Sequence, residues 1–212
     1  MITIKHKDTG EVLFQDETAS SFQGIDLDNL NLHGADLSGL DLSCASIRNG
    51  NLTEAVCRGT NFNGAMLTGA ALMDCDCEEA TFVGAQLNDC HLENTNFTHA
   101  NLEKSHMRHC RANGCQFESA NLNHCDCSFA EMRAELRHVS LQYANLFGVD
   151  FTKADLSFTD LRNSNMDSAK INGTTFYHCK MENCVTASGQ VYRTRKNVEP
   201  ERKWWQIWKP VA

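Results

Sequence analysis

The sequence predicts an all-β solenoid, and three observations carry that prediction. An apolar residue recurs at every fifth position from Leu27 to Met132, and again from Leu136 to Met181. The residue two places before it is small, mostly Ala, Ser, Thr or Cys. A period of five fits neither the 3.6-residue helix nor the two-residue alternation of a long strand. It fits a short extended run followed by a corner, in which each coil is stabilised by its neighbours.

The chain opens with Ile2 and Ile4 alternating with polar residues, then Asp8-Thr9-Gly10, then Val12-Leu13-Phe14. This reads as a β-hairpin with glycine supplying the positive φ. Residues 1–24 are therefore expected to cap the exposed edge of the first coil.

Residues 25–184 form the repeat. Written in fives from Ile25 it runs IDLDN, LNLHG, ADLSG, LDLSC and onward, for 22 units. The frame then slips at Ala130-Glu131-Met132-Arg133, which has only four residues, and ten more units follow from Ala134. Within a unit, positions one and three point inward and position two outward, while positions four and five turn the chain. Losing one residue at 130–133 is expected to tighten a corner and offset the coils beyond it.

The thirty-two units resemble the pentapeptide repeat family, whose motif is A(D/N)LXX. The resemblance implies a right-handed quadrilateral parallel β-helix of about eight coils, four units to a coil. At ~4.8 Å per coil such a rod is about 35–40 Å long before capping. Residues twenty apart then stack, which pairs Phe62 with Phe82, Phe97 with Phe117, Cys57 with Cys77 and Cys90 with Cys110.

Cys75-Asp76-Cys77 and Cys125-Asp126-Cys127 mimic the spacing of metal ligands. Yet ten of the eleven cysteines fall on inward positions, Cys44 alone pointing out. His124 is directed away from the thiols, so the candidates diverge where zinc needs four convergent ligands. Cysteine is read as a small core residue, with no metal and no cofactor expected. No H-E-x-x-H, G-x-S-x-G, P-loop or G-x-G-x-x-G sequence is present, and a filled rod lacks the usual concave pocket. A non-enzyme is expected.

Composition narrows the setting. The odd cysteine count, and an N-terminus without an apolar signal core, favour reduced thiols in a cytoplasm. No run of eighteen apolar residues is available for a membrane span. The net charge of −8 divides into +4 over residues 185–212 and −12 elsewhere, which argues against direct nucleic-acid binding.

One side of the rod collects Asp36, Asp76, Glu78, Glu79, Glu118, Glu135 and Asp155 against Arg58 and Arg137. Outward aromatic residues begin only at Phe129 and continue with Tyr143, Phe147, Phe158 and Tyr177. Both groups are candidate partner-binding residues. The acids have a second reading as plain solvation of the rod, and the aromatics as residues covered by the C-terminal segment.

That segment, 185–212, is basic and holds all three tryptophans. Pro200 suits the first turn of a short helix and Pro210 ends it, with Trp204, Ile207 and Trp208 on one face beside Trp205. Capping of the last coil, a homodimer or partner contact, and membrane-surface attachment are its three possible roles.

Two functions follow. The first is a non-catalytic scaffold that presents the acidic and aromatic surface to a protein partner. The second is a DNA-mimicking modulator of a type II topoisomerase. Some family members, the quinolone-resistance (Qnr-like) group among them, are acidic rods that occupy the DNA-binding saddle of gyrase. The stretch Arg108-His109-Cys110-Arg111-Ala112-Asn113-Gly114 resembles a segment of that group. Against the second reading, no long loop interrupts the coils, and both chain ends differ from that group's.

Overall fold

The structure is a computed structural model that describes residues 1–192. Trp204, Trp205, Ile207 and Trp208, with the expected C-terminal helix, lie outside the described residues. Among the described residues there is no helix, and so none long and apolar enough to cross a membrane.

Three short strands stand at the front, β1 (Ile2–His6), β2 (Val12–Asp16) and β3 (Ala35–Asp36). β1 pairs antiparallel with β2 and, on its other edge, antiparallel with β3 of the first coil. The hairpin thus covers backbone groups that the first coil would otherwise leave open. Ile4 is fully buried beneath it. A Cβ on Gly34 would sit 2.5 Å from Nε2 of His6, and Gly34 has φ +64°. A side chain at that corner would have to displace the His6 ring under the hairpin.

Beyond β3 the backbone pairs in parallel with itself at one residue per side. Asp26 pairs with Ser46, Asn31 with Asn51, Asp36 with Val56 and Asp41 with Asn61, each twenty residues on. Position two of every unit makes this pairing, and four successive units return the chain to the side where it began. In one typical rung, Leu32 N–H donates to Asn51 C=O at 2.7 Å, and Asn51 N–H to Leu30 C=O at 2.9 Å.

The corners obey one rule. Position five is left-handed in every complete unit, from Asn29 (φ 59°) to Asn183 (φ 58°), whether or not it is glycine. The next unit's first N–H closes the turn, as when Ala65 donates to Phe62 C=O at 3.0 Å. A positive φ at the third residue of such a turn is the type II pattern. Position two supplies the second brace. The Asp36 carboxylate accepts Ser38 N–H at 3.1 Å, and Asp126 accepts Ser128 N–H at 3.0 Å. Asp or Asn in the motif is therefore an Asx-turn acceptor, a role beyond solvating the rod.

The interior is filled by positions one and three. Every third-position residue from Leu27 to Met166 is buried. Phe62 lies face-on to Phe82 (4.8 Å, 13°), and Phe97 to Phe117 (5.1 Å, 8°), as the twenty-residue spacing predicts. Most first-position hydroxyls and thiols are satisfied in a repeated way, while among the described residues the buried Ser105 Oγ has no partner. Thr60 Oγ1 donates to Leu37 C=O at 2.8 Å, and Cys75 Sγ to Leu52 C=O at 2.8 Å. Each such carbonyl, twenty-three residues earlier, also accepts the turn N–H of its own coil.

At the frame slip the pairing changes without stopping. Gln116 pairs with Glu135 and Glu131 with Asp150, nineteen residues apart, before Glu135 resumes twenty with Asp155. The four-residue unit has no left-handed residue. Its corner is held instead by Arg133, whose Nη2 and Nε lie 2.7 and 3.3 Å from Oδ2 of Asp150. The expected local defect is thus one altered corner, and the coils stay paired across it.

At the far end Tyr192 N–H donates to Cys184 C=O at 2.7 Å and Asn183 N–H to Tyr192 C=O at 2.8 Å. The chain folds back across the last coil before leaving the described region.

Candidate interaction surface

The column of pairings Asp36, Val56, Asp76, Asn96, Gln116, Glu135, Asp155, Thr175 runs along one side of the rod. It brings all seven candidate acids, with Phe158 and Tyr177, onto that side. They are not equivalent. Asp36, Asp76 and Asp155 are turn acceptors, receiving the N–H of Ser38, Glu78 and Ser157 at 3.1, 3.2 and 2.9 Å. Arg58 clasps two of the acids, with Nη1 2.9 Å from Asp76 and Nη2 2.7 Å from Glu78. The hydrogen bond and charge of Asp76, then the charge of Glu78, push the Arg58 guanidinium pKa up. Arg137 approaches Asp155 at 3.8 Å. Among the described residues Glu79, Glu118 and Glu135 have no cation within ion-pair distance, and all three are exposed.

These clasps follow a spacing that was open to reading in the sequence. Arg58 to Asp76, Arg108 to Asp126 (4.0 Å) and Arg137 to Asp155 all join position four to position two of the next coil, eighteen residues on. Charge summed over a side misses this pairing.

The aromatic candidates occupy corners. Phe129, Tyr143 and Phe158 take the left-handed position five, with φ 61°, 59° and 62°, a conformation that bulky side chains rarely adopt. Their rings are 48%, 55% and 39% exposed, and Tyr177 at position four is 58% exposed. Phe147 is only half-buried and meets Phe129 edge-on at 5.3 Å. Each left-handed ring lies flat on a histidine one coil below. His109 stacks under Phe129 (5.4 Å, 6°), His124 under Tyr143 (4.9 Å, 3°) and His138 under Phe158 (4.8 Å, 4°). The repeated histidine at position five is visible in the sequence, but its pairing with the ring twenty or nineteen residues later depends on the left-handed corner that both share. The side with the unpaired glutamates ends in the column His138, Phe158, His178, joined by Tyr177 edge-on to Phe158 at 5.6 Å.

The thiols do not converge on a site. Among the described residues no group of three or more His, Cys, Asp or Glu is arranged to hold a metal. All eleven cysteines are free. Cys125 and Cys127 sit with sulfurs 3.3 Å apart inside the bore. Hydrogen bonding to Cys125, followed by burial, drives the Cys127 thiol pKa well up. Burial pushes Cys115 and Cys179 up to about 12, so these thiols stay protonated at neutral pH. Cys44 alone is exposed, and Cys179 is half-buried.

A rod of five-residue units, paired at twenty-residue intervals and filled by its own side chains, is a repeat solenoid. The family model for pentapeptide repeats (8 copies) matches residues 18–49, 41–76, 75–111, 100–134, 132–167 and 144–183. The chain belongs to the pentapeptide repeat family. Solved structures similar to it include HetL, involved in heterocyst differentiation regulation in the cyanobacterium Nostoc sp. strain PCC 7120. HetL is 22% identical, covering 82% of this chain and 94% of its own at a TM-score of 0.30. QnrB1, a plasmid-mediated fluoroquinolone resistance protein, is 19% identical over 80% and 87%, with a TM-score of 0.45. Rfr23 from the cyanobacterium Cyanothece 51142 is 16% identical over 77% and 88%, at 0.19. No curated protein matches the chain in sequence.

Proposed function

We propose that the protein is a non-catalytic scaffold of the cytoplasm, an eight-coil right-handed quadrilateral rod that offers its acidic, aromatic-ended side to a protein partner. The observation that carries this is the juxtaposition on one side of Glu118 and Glu135, which have no cation partner among the described residues, and the exposed Phe158–Tyr177 corner. Neither feature serves the coil. The glutamates brace no turn, and a phenylalanine in the left-handed region costs about 1–2 kcal/mol that glycine would avoid. Stacking on His138 offsets part of that cost. Exposed rings bordered by charge are the usual makings of a protein contact. The same negative side disfavours direct contact with nucleic acid.

A second reading puts DNA gyrase, a type II topoisomerase, on this side, with the carboxylates standing in for phosphates. Their recurrence along one column supports it. The spacing does not, since rungs repeat at ~4.8 Å against about 3.4 Å of axial rise per phosphate on each DNA strand. It ranks second for that reason.

The test is association measured with Glu79, Glu118 and Glu135 reversed to Lys, against partner captured from lysate and against purified gyrase. Asp76 and Glu78 are poorer choices, because changing them releases Arg58. The scaffold reading expects slower, less salt-dependent association and an unchanged melting temperature. Inhibition of supercoiling by the parent and not the variant would favour the second reading. Binding indifferent to all three changes would remove both.

A further inference from the structure

Exposed side chains stand one to a rung on four successive rungs of the acidic side. The rungs are those that pair through Gln116, Glu135, Asp155 and Thr175. From the lowest upward they carry Glu118, Glu135, Phe158 and Tyr177, all exposed. Asp155, on the third of these rungs, is already engaged by Arg137 at 3.8 Å. Among the described residues neither glutamate has a cation within ion-pair distance. Along the axis of the rod the surface therefore reads acid, acid, ring, ring.

The backbone of this side offers nothing to a partner. Its rungs pair without a break from Asp36 to Thr175, so along the side no strand edge is open for a partner's strand to join. Recognition there falls to side chains alone, and their spacing selects the shape that fits. Three rung steps of ~4.8 Å cover about 14 Å. Three turns of α-helix at ~5.4 Å each cover about 16 Å, a difference that long side chains absorb. An extended chain returns to the same face only every ~6.7 Å and overshoots by about 6 Å. The helix matches the rungs.

We propose that this side takes an amphipathic α-helix of a partner protein, laid along the rod with one turn on each rung. Its contacting stripe carries two basic residues, one turn apart, to meet Glu118 and Glu135 in charge-assisted hydrogen bonds. Two apolar residues follow on the next turns and cover Phe158 and Tyr177. This rests on the reading of the acidic side as a binding surface and names the element that the surface receives.

The test needs no natural partner. The probe is a fluorescent, alanine-based peptide of about four helical turns, with arginine on two successive turns and leucine on the next two, all on one stripe. One control is an isomer with the same four residues scattered around the helix. A second keeps the stripe but carries a central proline that breaks the helix. Fluorescence anisotropy with the full-length protein at low salt should show the striped peptide binding about tenfold tighter than either control. Circular dichroism should show its helix content rising on binding. Glu118→Lys with Glu135→Lys should abolish that preference, and Tyr177→Ala should weaken binding severalfold while leaving its salt dependence unchanged. Melting curves of the variants check that the fold is kept. Equal affinity for the three peptides overturns the proposal, as does binding that ignores the double reversal. A proline-broken peptide that binds as well as the striped one overturns it too, making the occupant an extended segment. Failure of the striped peptide to bind also overturns the helix. If the glutamate reversals still slow association with captured partner or gyrase, the surface reading stands and only the helix is wrong.

Discussion

The Cys75 thiol donates to the carbonyl oxygen of Leu52 at 2.8 Å, the bond that Thr60 makes to Leu37 at the same distance. Cys110 to Leu87 (2.7 Å) and Cys115 to Leu92 (2.8 Å) repeat it. First-position cysteine is a small side chain with one donor, and that is why it alternates there with Ser and Thr. Cys75→Thr should leave stability within about 0.5 kcal/mol of the parent. Cys75→Val keeps the volume and loses the donor, and should cost about 1 kcal/mol. Urea melts of the two variants separate these outcomes, and an equal cost for both would remove the hydrogen bond from the explanation.

Thiol reactivity follows from the same placement. In the native protein at pH 8 one thiol per chain, Cys44, should react with a disulfide reagent within minutes. The half-buried Cys179 should follow slowly, because burial holds its pKa at about 12. All eleven should react in denaturant. Rapid modification of Cys125 or Cys127 in the native state would mean that the bore is open.

The frame slip predicts a pH effect with a definite sign. Burial tends to raise the pKa of the Asp150 carboxyl, but hydrogen bonds from Thr152 and Arg133, with the arginine's charge, outweigh it and bring it to about 2. A folded-state value below the unfolded value of about 3.9 stabilises the protein above pH 4. That stabilisation is lost as pH falls toward 2. Asp150→Asn should destabilise by roughly 1–2 kcal/mol at pH 7 and flatten the stability profile between pH 4 and 2. Parallel profiles for parent and variant would show that this corner is held by something else.

The left-handed rings predict separation of stability from binding. Phe158→Gly removes backbone strain of about 1–2 kcal/mol and a ring stack of about 0.5–1.5 kcal/mol. The melting temperature should therefore barely move. Dissociation of a bound partner should quicken, with little dependence on salt. A large loss of stability would make Phe158 a structural residue.

These corners mark where sequence reading stopped. The period of five placed Leu27, Phe62 and Phe117 inside correctly, because burial alternates with the backbone whatever occupies the corners. It also placed Glu118 and Phe158 outside. It did not reveal that position five is left-handed, because Glu54, Lys104 and Phe129 adopt φ 60°, 59° and 61° against their own preference, held by the turn and the rung above. Nor did it separate Asp76 from Glu118. That difference lies in the Asx turn at Asp76 and the reach of Arg58 across eighteen residues, neither of which a count of charges per side contains.

Everything above depends on position three facing the bore and position four facing out, and neighbours Phe117 and Glu118 test this in one comparison. Equilibrium unfolding of Phe117→Ala and Glu118→Ala should give a loss of roughly 3–5 kcal/mol for the buried ring and under about 0.5 kcal/mol for the exposed carboxylate. Equal, small losses at both positions would contradict the stacked-coil structure.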